Sequence, residues 1–135
     1  HRLTPGDSVT VNGVTIHAVP ADHPFASDAV GLVMEGERTV YFSGDTRYVD
    51  RLKEALSVFT VDIAMVQVAC SHYPFIGKDG MDLDDAARLV QDIQPGIVVP
   101  VHFQVKGKTI DLETLRQWKV NARLMVPEPG IPMEV

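Results

Sequence analysis

The segment at residues 38–48 constrains the fold more than any other stretch of the sequence. Residues 39–42 are β-branched or aromatic, which is typical of a buried strand. Ser43 and Gly44 end this strand, so Asp45 lies just beyond its carboxyl end. Open α/β sheets bind their ligands at that edge, and the pattern therefore predicts a functional carboxylate. The alternative is that Asp45 caps the helix that follows, because aspartate is a preferred N-cap residue.

The composition predicts a single domain and excludes several partners. The 135 residues are 45% hydrophobic, which is enough for one core. Lysine and arginine number 12 against 18 aspartates and glutamates, and this net charge of -6 argues against nucleic acid or an anionic membrane as the main partner. No apolar run reaches the roughly 20 residues of a membrane span. Cys70 is the only cysteine, so a cytoplasmic location without disulfides is expected.

The periodicity predicts antiparallel strands first and alternating helices and strands afterwards, which is the α/β (α+β) class. Asn12-Gly13 is a strong hairpin signal between two β-rich runs at residues 8–11 and 14–19. A second hairpin is predicted to join residues 29–34 to residues 38–42. The predicted helices lie at residues 48–57, after Asp82 as an N-cap, and from about Asp111 onward. The later strands are predicted at residues 61–68, 97–101, 122–126 and 132–135.

Three possible metal ligands each follow a predicted strand. They are His23, Asp45 and His102. If the three strands belong to one sheet with suitable directions, the three side chains meet at one edge. Imidazole and carboxylate bind zinc, manganese or iron, and three protein ligands leave a position for a reactive water. The spacing alone is also compatible with two histidines and an aspartate scattered over the fold.

Four motifs occur in an order that resembles the metallo-β-lactamase fold. They are Pro20-Ala21-Asp22-His23, Tyr41-Phe42-Ser43-Gly44-Asp45-Thr46-Arg47-Tyr48, Met81 before an alanine-rich helix, and Val99-Pro100-Val101-His102-Phe103. The sequence is most similar to the branch of ascorbate-6-phosphate lactonases and N-acylphosphatidylethanolamine phospholipases D. The resemblance implies half of an αββα sandwich, in which a mixed sheet carries helices on one face.

The resemblance also implies roles for individual residues. His23 is implied as a ligand of one metal, His102 as a ligand of the other, and Asp45 as the carboxylate that bridges both. Asp45 and His102 are accordingly the expected catalytic residues. The expected cofactor is a divalent metal, zinc first with manganese or iron as alternatives. The expected reaction is hydrolysis of an ester, lactone or phosphodiester by metal-activated water.

Only part of the family pattern occurs in this chain. The signature His-x-His-x-Asp-His is absent, and no two of the five histidines have His-x-His spacing. Residues 1–135 therefore resemble the C-terminal half of the fold, and the isolated chain is expected to be inactive. Arg47 replaces the usual glycine after Gly-Asp-Thr, where it would contact substrate. The sheet face without helices predicts a homodimer packed sheet on sheet, unless a missing N-terminal half covers it.

Other interpretations are compatible with the same residues. A non-catalytic binding or assembly module would retain the half-fold with an incomplete metal site. An iron oxygenase with two histidines and one carboxylate matches the ligand types, but not the helix and strand alternation after residue 48. Cys70 and His72 suggest a thiol nucleophile, although a lone cysteine after an apolar strand is usually part of the core. His72 is instead predicted to line the cleft and bind substrate.

Overall fold

A seven-stranded mixed sheet with helices on one face forms the fold. The structure, a computed structural model, describes residues 2–105 and 108–134. The strands in chain order are β1 (Ser8–Val11), β2 (Val14–Pro20), β3 (Val30–Glu35), β4 (Thr39–Phe42), β5 (Ile63–Gln67), β6 (His72–Tyr73), β7 (Gly77–Lys78), β8 (Ile97–Val101), β9 (Gln104–Val105), β10 (Lys108–Thr109) and β11 (Arg123–Leu124). The helices are α1 (Asp50–Leu56), α2 (Leu83–Ile93) and α3 (Leu112–Arg116).

The strand directions place several strand ends at one edge of the main sheet. Its order is β1-β2-β3-β4-β5-β8-β11. Strands β1 to β4 form an antiparallel meander, whereas β4, β5, β8 and β11 pair in parallel. Parallel neighbours need crossover connections, which α1 supplies between β4 and β5 and α2 between β5 and β8. The carboxyl ends of β2, β4, β5 and β8 consequently share one edge, which we call the carboxyl edge.

The three helices pack on the same face of the sheet. The main core contains Leu52 and Leu56 of α1, Leu89 of α2 and Leu115 of α3, together with Tyr41 of β4, all of them at most 1% exposed. The opposite face has a smaller core around Ile63, Ile97 and Val99. Val40, Met65, Val101 and Met125 pack against this core, and Phe42 lies two residues after Val40 on β4, on the same face of the strand. We call this second surface the open face, because no helix of the described residues covers it.

Two of the predicted helix starts are confirmed by their caps. Asp82 accepts a hydrogen bond from the Asp85 backbone amide at 3.0 Å, and Asp111 accepts one from the Thr114 amide at 2.8 Å. Helix α1 is different, because it begins at Asp50 with Val49 at the N-cap position and no side-chain cap. The alternative interpretation of Asp45 as a helix cap is therefore wrong.

The predicted closing strands are only partly present. Residues 123 and 124 form β11, which is shorter than the predicted strand at 122–126 and pairs in parallel with β8. Residues 132–134 contain no strand, so that prediction is wrong for them, and Val135 lies outside the described residues. Pro132 lacks the amide that a ladder needs, which disfavours pairing at this position. None of the helices in the described part of the chain has the length and hydrophobicity needed to cross a bilayer.

Asp92 links α2 to the beginning of α1. Its carboxylate accepts a hydrogen bond from the Tyr48 hydroxyl at 2.5 Å and pairs with Lys53 Nζ at 2.9 Å. Burial opposes ionisation of Asp92, but the hydrogen bonds from Tyr48 and Lys53 and the charge of Lys53 outweigh it. The pKa of Asp92 consequently lies below its ordinary value of 3.8.

We expect Asp92→Asn to lower the free energy of unfolding by about 1 kcal/mol near neutral pH. A carboxyl whose folded pKa is depressed stabilises the fold above its unfolded pKa and loses that contribution as pH falls through the folded value. The difference from wild type should thus shrink as pH falls below about 4. Urea unfolding at about pH 7 and about pH 3 measures it. Glu37→Gln, in the exposed turn between β3 and β4, is the control, and an Asp92→Asn effect of equal size at both pH values would contradict the assignment.

Candidate metal centre

Asp45 and His102 meet at the carboxyl edge. Asp45 follows β4 through Ser43 and Gly44, and His102 directly follows β8. Oδ1 of Asp45 lies 2.9 Å from Nδ1 of His102. The two side chains are 51% and 39% exposed, so the pair is open to solvent. Two residues that were predicted as metal ligands from separate strands are therefore in direct contact.

Left-handed backbone turns present both side chains. Gly44 has a φ of 58°, and a Cβ at this position would lie 3.0 Å from the Val30 carbonyl oxygen. Glycine therefore satisfies both the conformation and the close approach. His102 has a φ of 53° although it carries a side chain, a conformation that costs on the order of 1–3 kcal/mol. Such strain is concentrated at functional sites, and here it accompanies the contact with Asp45.

His23 lies at the same edge but has different partners. Its Nδ1 accepts a hydrogen bond from the Phe25 backbone amide at 3.3 Å, and its ring contacts the Phe25 ring with centroids 5.8 Å apart. Within residues 2–105 and 108–134, no three His, Cys, Asp or Glu side chains form a group that could hold a metal. The structure thus brings together Asp45 and His102, and it leaves His23 outside the pair.

Hydrogen bonds join the loop that carries His23 to the loop that carries Asp45. The Asp22 amide donates to Thr46 Oγ1 at 2.8 Å, and the Arg47 amide donates to the Asp22 carbonyl at 2.8 Å. Asp22, which precedes His23, is therefore bonded to Thr46 and Arg47, which follow Asp45. One backbone hydrogen bond and one bond to the short side chain of Thr46 therefore set the distance between the loops.

Arg47 forms an ion pair with Asp22, a contact that the sequence did not predict. Arg47 Nε donates to Asp22 Oδ2 at 2.6 Å, and Arg51 donates to Asp22 Oδ1 and to the Ala21 carbonyl, each at 3.0 Å. Charge-assisted hydrogen bonds of this kind are stronger than neutral ones. Arg47 therefore holds the His23 loop in place, and its contact with substrate stays a prediction.

The other candidate residues differ in their exposure and in their contacts. His72 is exposed at the start of β6, on the segment that follows β5. Cys70 is 1% exposed, in agreement with a core residue rather than a nucleophile. His17 is on β2, with Nε2 2.6 Å from the carboxylate of Glu35 and its ring against Phe59. These contacts give His17 a structural role in the sheet.

A buried polar network beneath Asp45 escaped the sequence reasoning. Gln67, at the end of β5, accepts a hydrogen bond from the Thr46 amide at 2.9 Å and donates one to the Ala69 carbonyl at 2.8 Å. The backbone amide of Gln67 donates to Ser43 Oγ at 2.9 Å. Ser43, Thr46 and Gln67 are at most 2% exposed. The only available signal was that Gln67 interrupts an otherwise apolar strand.

Gly80 provides the space that the Gln67 amide occupies. A Cβ at residue 80 would lie 2.1 Å from Gln67 Nε2 and 2.7 Å from Oε1. The hydrogen bonds to Thr46 and Ala69 hold the amide in that space. Any side chain at residue 80 must therefore displace Gln67 and release the loop that carries Asp45.

We expect Gly80→Ala to lower the free energy of unfolding by at least about 2 kcal/mol, because two buried backbone groups lose their partner. The displaced loop should also alter the His102 ring resonances in NMR spectra. Gly36→Ala is the matched control, since a Cβ there meets Val14 Cγ2 at an ordinary 3.5 Å. Equal stability of the two variants would contradict a positioning role for Gln67.

The donors at the carboxyl edge suit a divalent transition metal by their chemistry. Imidazole nitrogen and carboxylate oxygen are the preferred ligands of zinc, manganese and iron. Oδ1 of Asp45 and Nδ1 of His102 lie 2.9 Å apart, so an oxygen donor and a nitrogen donor meet at one point of this edge. Neutral His23 carries its proton on Nε2 while Nδ1 accepts from Phe25, so metal binding by His23 requires that this weak bond breaks.

Comparison with known proteins identifies the family to which this chain belongs. The family model of the beta-lactamase superfamily domain matches residues 1–103. Because this match covers more than half of the chain, the chain belongs to the beta-lactamase superfamily.

Individual relatives agree with this membership. A UPF0173 metal-dependent hydrolase of Thermoplasma acidophilum is 28% identical over 146 residues, which cover 98% of this chain and 60% of the relative. The isothiocyanate hydrolase from Delia radicum gut bacteria has a TM-score of 0.83 at 20% identity, covering 99% of this chain and 59% of that one. Igni18, a metallo hydrolase from Ignicoccus hospitalis, has a TM-score of 0.75 at 20% identity, covering 96% and 57%.

The structural likenesses confirm the predicted fold class and no more, since the identities are low. The mixed sheet with helices is the architecture that the motif resemblance implied. The chain spans about 60% of the length of the relatives described above.

Proposed function

We propose that this chain provides the metal-binding part of a metal-dependent hydrolase that cleaves an ester, lactone or phosphodiester. The observation that carries the proposal is the 2.9 Å approach of Asp45 to His102 at the carboxyl edge. Superfamily membership supports it, as does the similarity to the Thermoplasma relative, a metal-dependent hydrolase. The choice of substrates follows the lactonase and phospholipase branch that the motifs resemble.

Asp45, His102 and His23 are the residues that would hold the metal, and zinc is the ion we propose, with manganese and iron as alternatives. When bound, such a metal activates a water molecule and polarises the scissile group. The chain itself contributes orientation. Asp45 lies against His102, and the hydrogen bonds of Gln67 to Thr46 and Ser43 hold the loop that carries Asp45.

We assign His72 and Arg47 to substrate binding. His72 is exposed on the segment after β5, at the same edge as the proposed ligands. The Arg47 side chain is 35% exposed while bound to Asp22, so part of its guanidinium is accessible to an anionic group. A small-molecule substrate in the cytoplasm is consistent with the acidic net charge and the single, buried cysteine.

We expect Asp45→Asn to weaken zinc binding by roughly 100-fold or more and to leave the melting temperature unchanged. The amide has the shape of the carboxylate but is a poor ligand, and no helix depends on Asp45 for its cap. Calorimetric zinc titration and thermal melting of the full chain provide the two readouts. Asp28→Asn, in an exposed ion pair with Arg2, is the control. Unchanged zinc affinity in Asp45→Asn would overturn its assignment as a ligand.

We propose further that a second copy of the chain covers the open face, forming a homodimer packed sheet on sheet. Apolar residues of this face, among them Val40, Met65 and Phe42, lack a helix over them, and Phe42 is 37% exposed. Large exposed apolar surfaces are unusual in monomers, and a two-fold axis would let the same face bury itself.

Light scattering at micromolar concentration should give twice the 14.8 kDa of one chain. Phe42→Glu should shift the mass to that of one chain, because a charge would be buried at the interface. Val58→Glu, at an equally apolar but 80% exposed position beyond α1, should leave the dimer intact. If the wild-type protein has the mass of one chain, the homodimer is excluded.

A further inference from the structure

Four exposed hydrophobic side chains lie on two segments that follow strands ending at the carboxyl edge. We define the aromatic rim as Phe25, Tyr73, Phe75 and Ile76, which are 56%, 40%, 108% and 45% exposed. They come from the loop after β2 and from the β6–β7 hairpin, two segments that start at the carboxyl edge. No function assigned so far explains why so much apolar surface is exposed there.

Ring contacts connect the aromatic rim to a proposed ligand. The Phe25 ring meets the Tyr73 ring edge to face with centroids 5.0 Å apart. The Phe25 ring also contacts the His23 ring, with centroids 5.8 Å apart. Through Phe25 the rim is therefore in ring contact with His23, one of the three ligands proposed for the metal.

The β6–β7 hairpin carries three of the rim residues and is fastened at its base. Ser71 and Asp79 close its base through two hydrogen bonds, of 2.7 Å to the Asp79 carboxylate and 3.1 Å to the Ser71 carbonyl. Lys78 Nζ ties the second strand to Asp85 of α2 at 2.7 Å. At the tip, Phe75 has a φ of 69°, an uncommon conformation for a bulky residue. The hairpin thus combines a fastened base with a strained tip that exposes an aromatic ring.

We propose that the aromatic rim binds the apolar acyl or aryl part of the substrate whose scissile group lies at the metal centre. This inference rests on the proposed hydrolase function and narrows its substrates to esters or lactones with an apolar arm. Each methylene buried on the rim strengthens binding about fourfold, so two or three give a tenfold preference or more. The net charge of -6 disfavours an anionic membrane as the occupant, and the rim is separate from the open face that we assign to dimerisation.

Two probes with the same metal-binding head test the rim. Acetohydroxamate and octanohydroxamate share the hydroxamate group and differ only in the length of the apolar arm. Calorimetric titration of the zinc-loaded chain should show octanohydroxamate binding at least about tenfold more tightly. Phe75→Ser should reduce this ratio to about threefold or less, whereas Val58→Ser, an exposed apolar residue away from the rim, should keep the wild-type ratio. An unchanged ratio in Phe75→Ser would overturn the proposal.

A second measurement without metal separates this proposal from the hydrolase function. Octanohydroxamate added to the metal-free chain should shift the ring resonances of Phe25, Tyr73 and Phe75 in NMR spectra, and acetohydroxamate should not. If zinc fails to bind while the rings still shift, the hydrolase proposal is wrong and the apolar site stands. Absence of these shifts would overturn the proposal that the aromatic rim binds an apolar group. Binding to neutral phosphatidylcholine vesicles that is lost in Phe75→Ser would also overturn it, in favour of a lipid surface.

Discussion

The hydrogen bond from the Thr46 amide to the Gln67 side chain is the contact on which the candidate site depends. Gln67 ends β5, and its buried amide fixes the residue that follows Asp45. Thr46 in turn accepts the amide of Asp22, the residue before His23. One buried side chain in the centre of the sheet therefore positions the ends of two flanking segments. Because an unpaired buried amide is costly, the loops cannot shift independently of each other.

Parallel strand pairing explains why the ligand residues share an edge although they are far apart in the sequence. Strands β4, β5 and β8 run in one direction, and β2 runs with them because two antiparallel pairings separate it from β4. Residues that follow these strands emerge on the same side. Asp45 and His102 use this geometry directly, through turns with positive φ at Gly44 and His102. The aromatic rim uses it again, since its hairpin follows β5.

Features of the fold that depend only on neighbouring residues could be predicted from the sequence. The Asn12-Gly13 turn and the aspartate caps at residues 82 and 111 were predictable because each depends on neighbours within three or four residues. The pair of Asp22 with Arg47 was not, since its partners are 25 residues apart and meet only through the sheet. The same holds for Gln67, whose role depends on Gly80 leaving room for its amide. Pattern reasoning could place Asp45 at the strand end, but the cap interpretation was excluded only by the start of α1, and the ligand role of Asp45 stays a proposal.

The change from antiparallel to parallel pairing at β4 has a consequence for folding kinetics. Strands β1 to β4 are joined by short connections, so their contacts are close in sequence and can form quickly. Pairing of β4 with β5 and of β5 with β8 must close loops that include whole helices, which is slower because more chain entropy is lost first. Asp45 follows the meander directly, but Gln67 of β5 fixes its loop, and His102 follows β8. The two side chains are consequently held together only after the later parallel pairings have formed, and an intermediate with the meander alone would have neither the fixed Asp45 loop nor its imidazole partner in place.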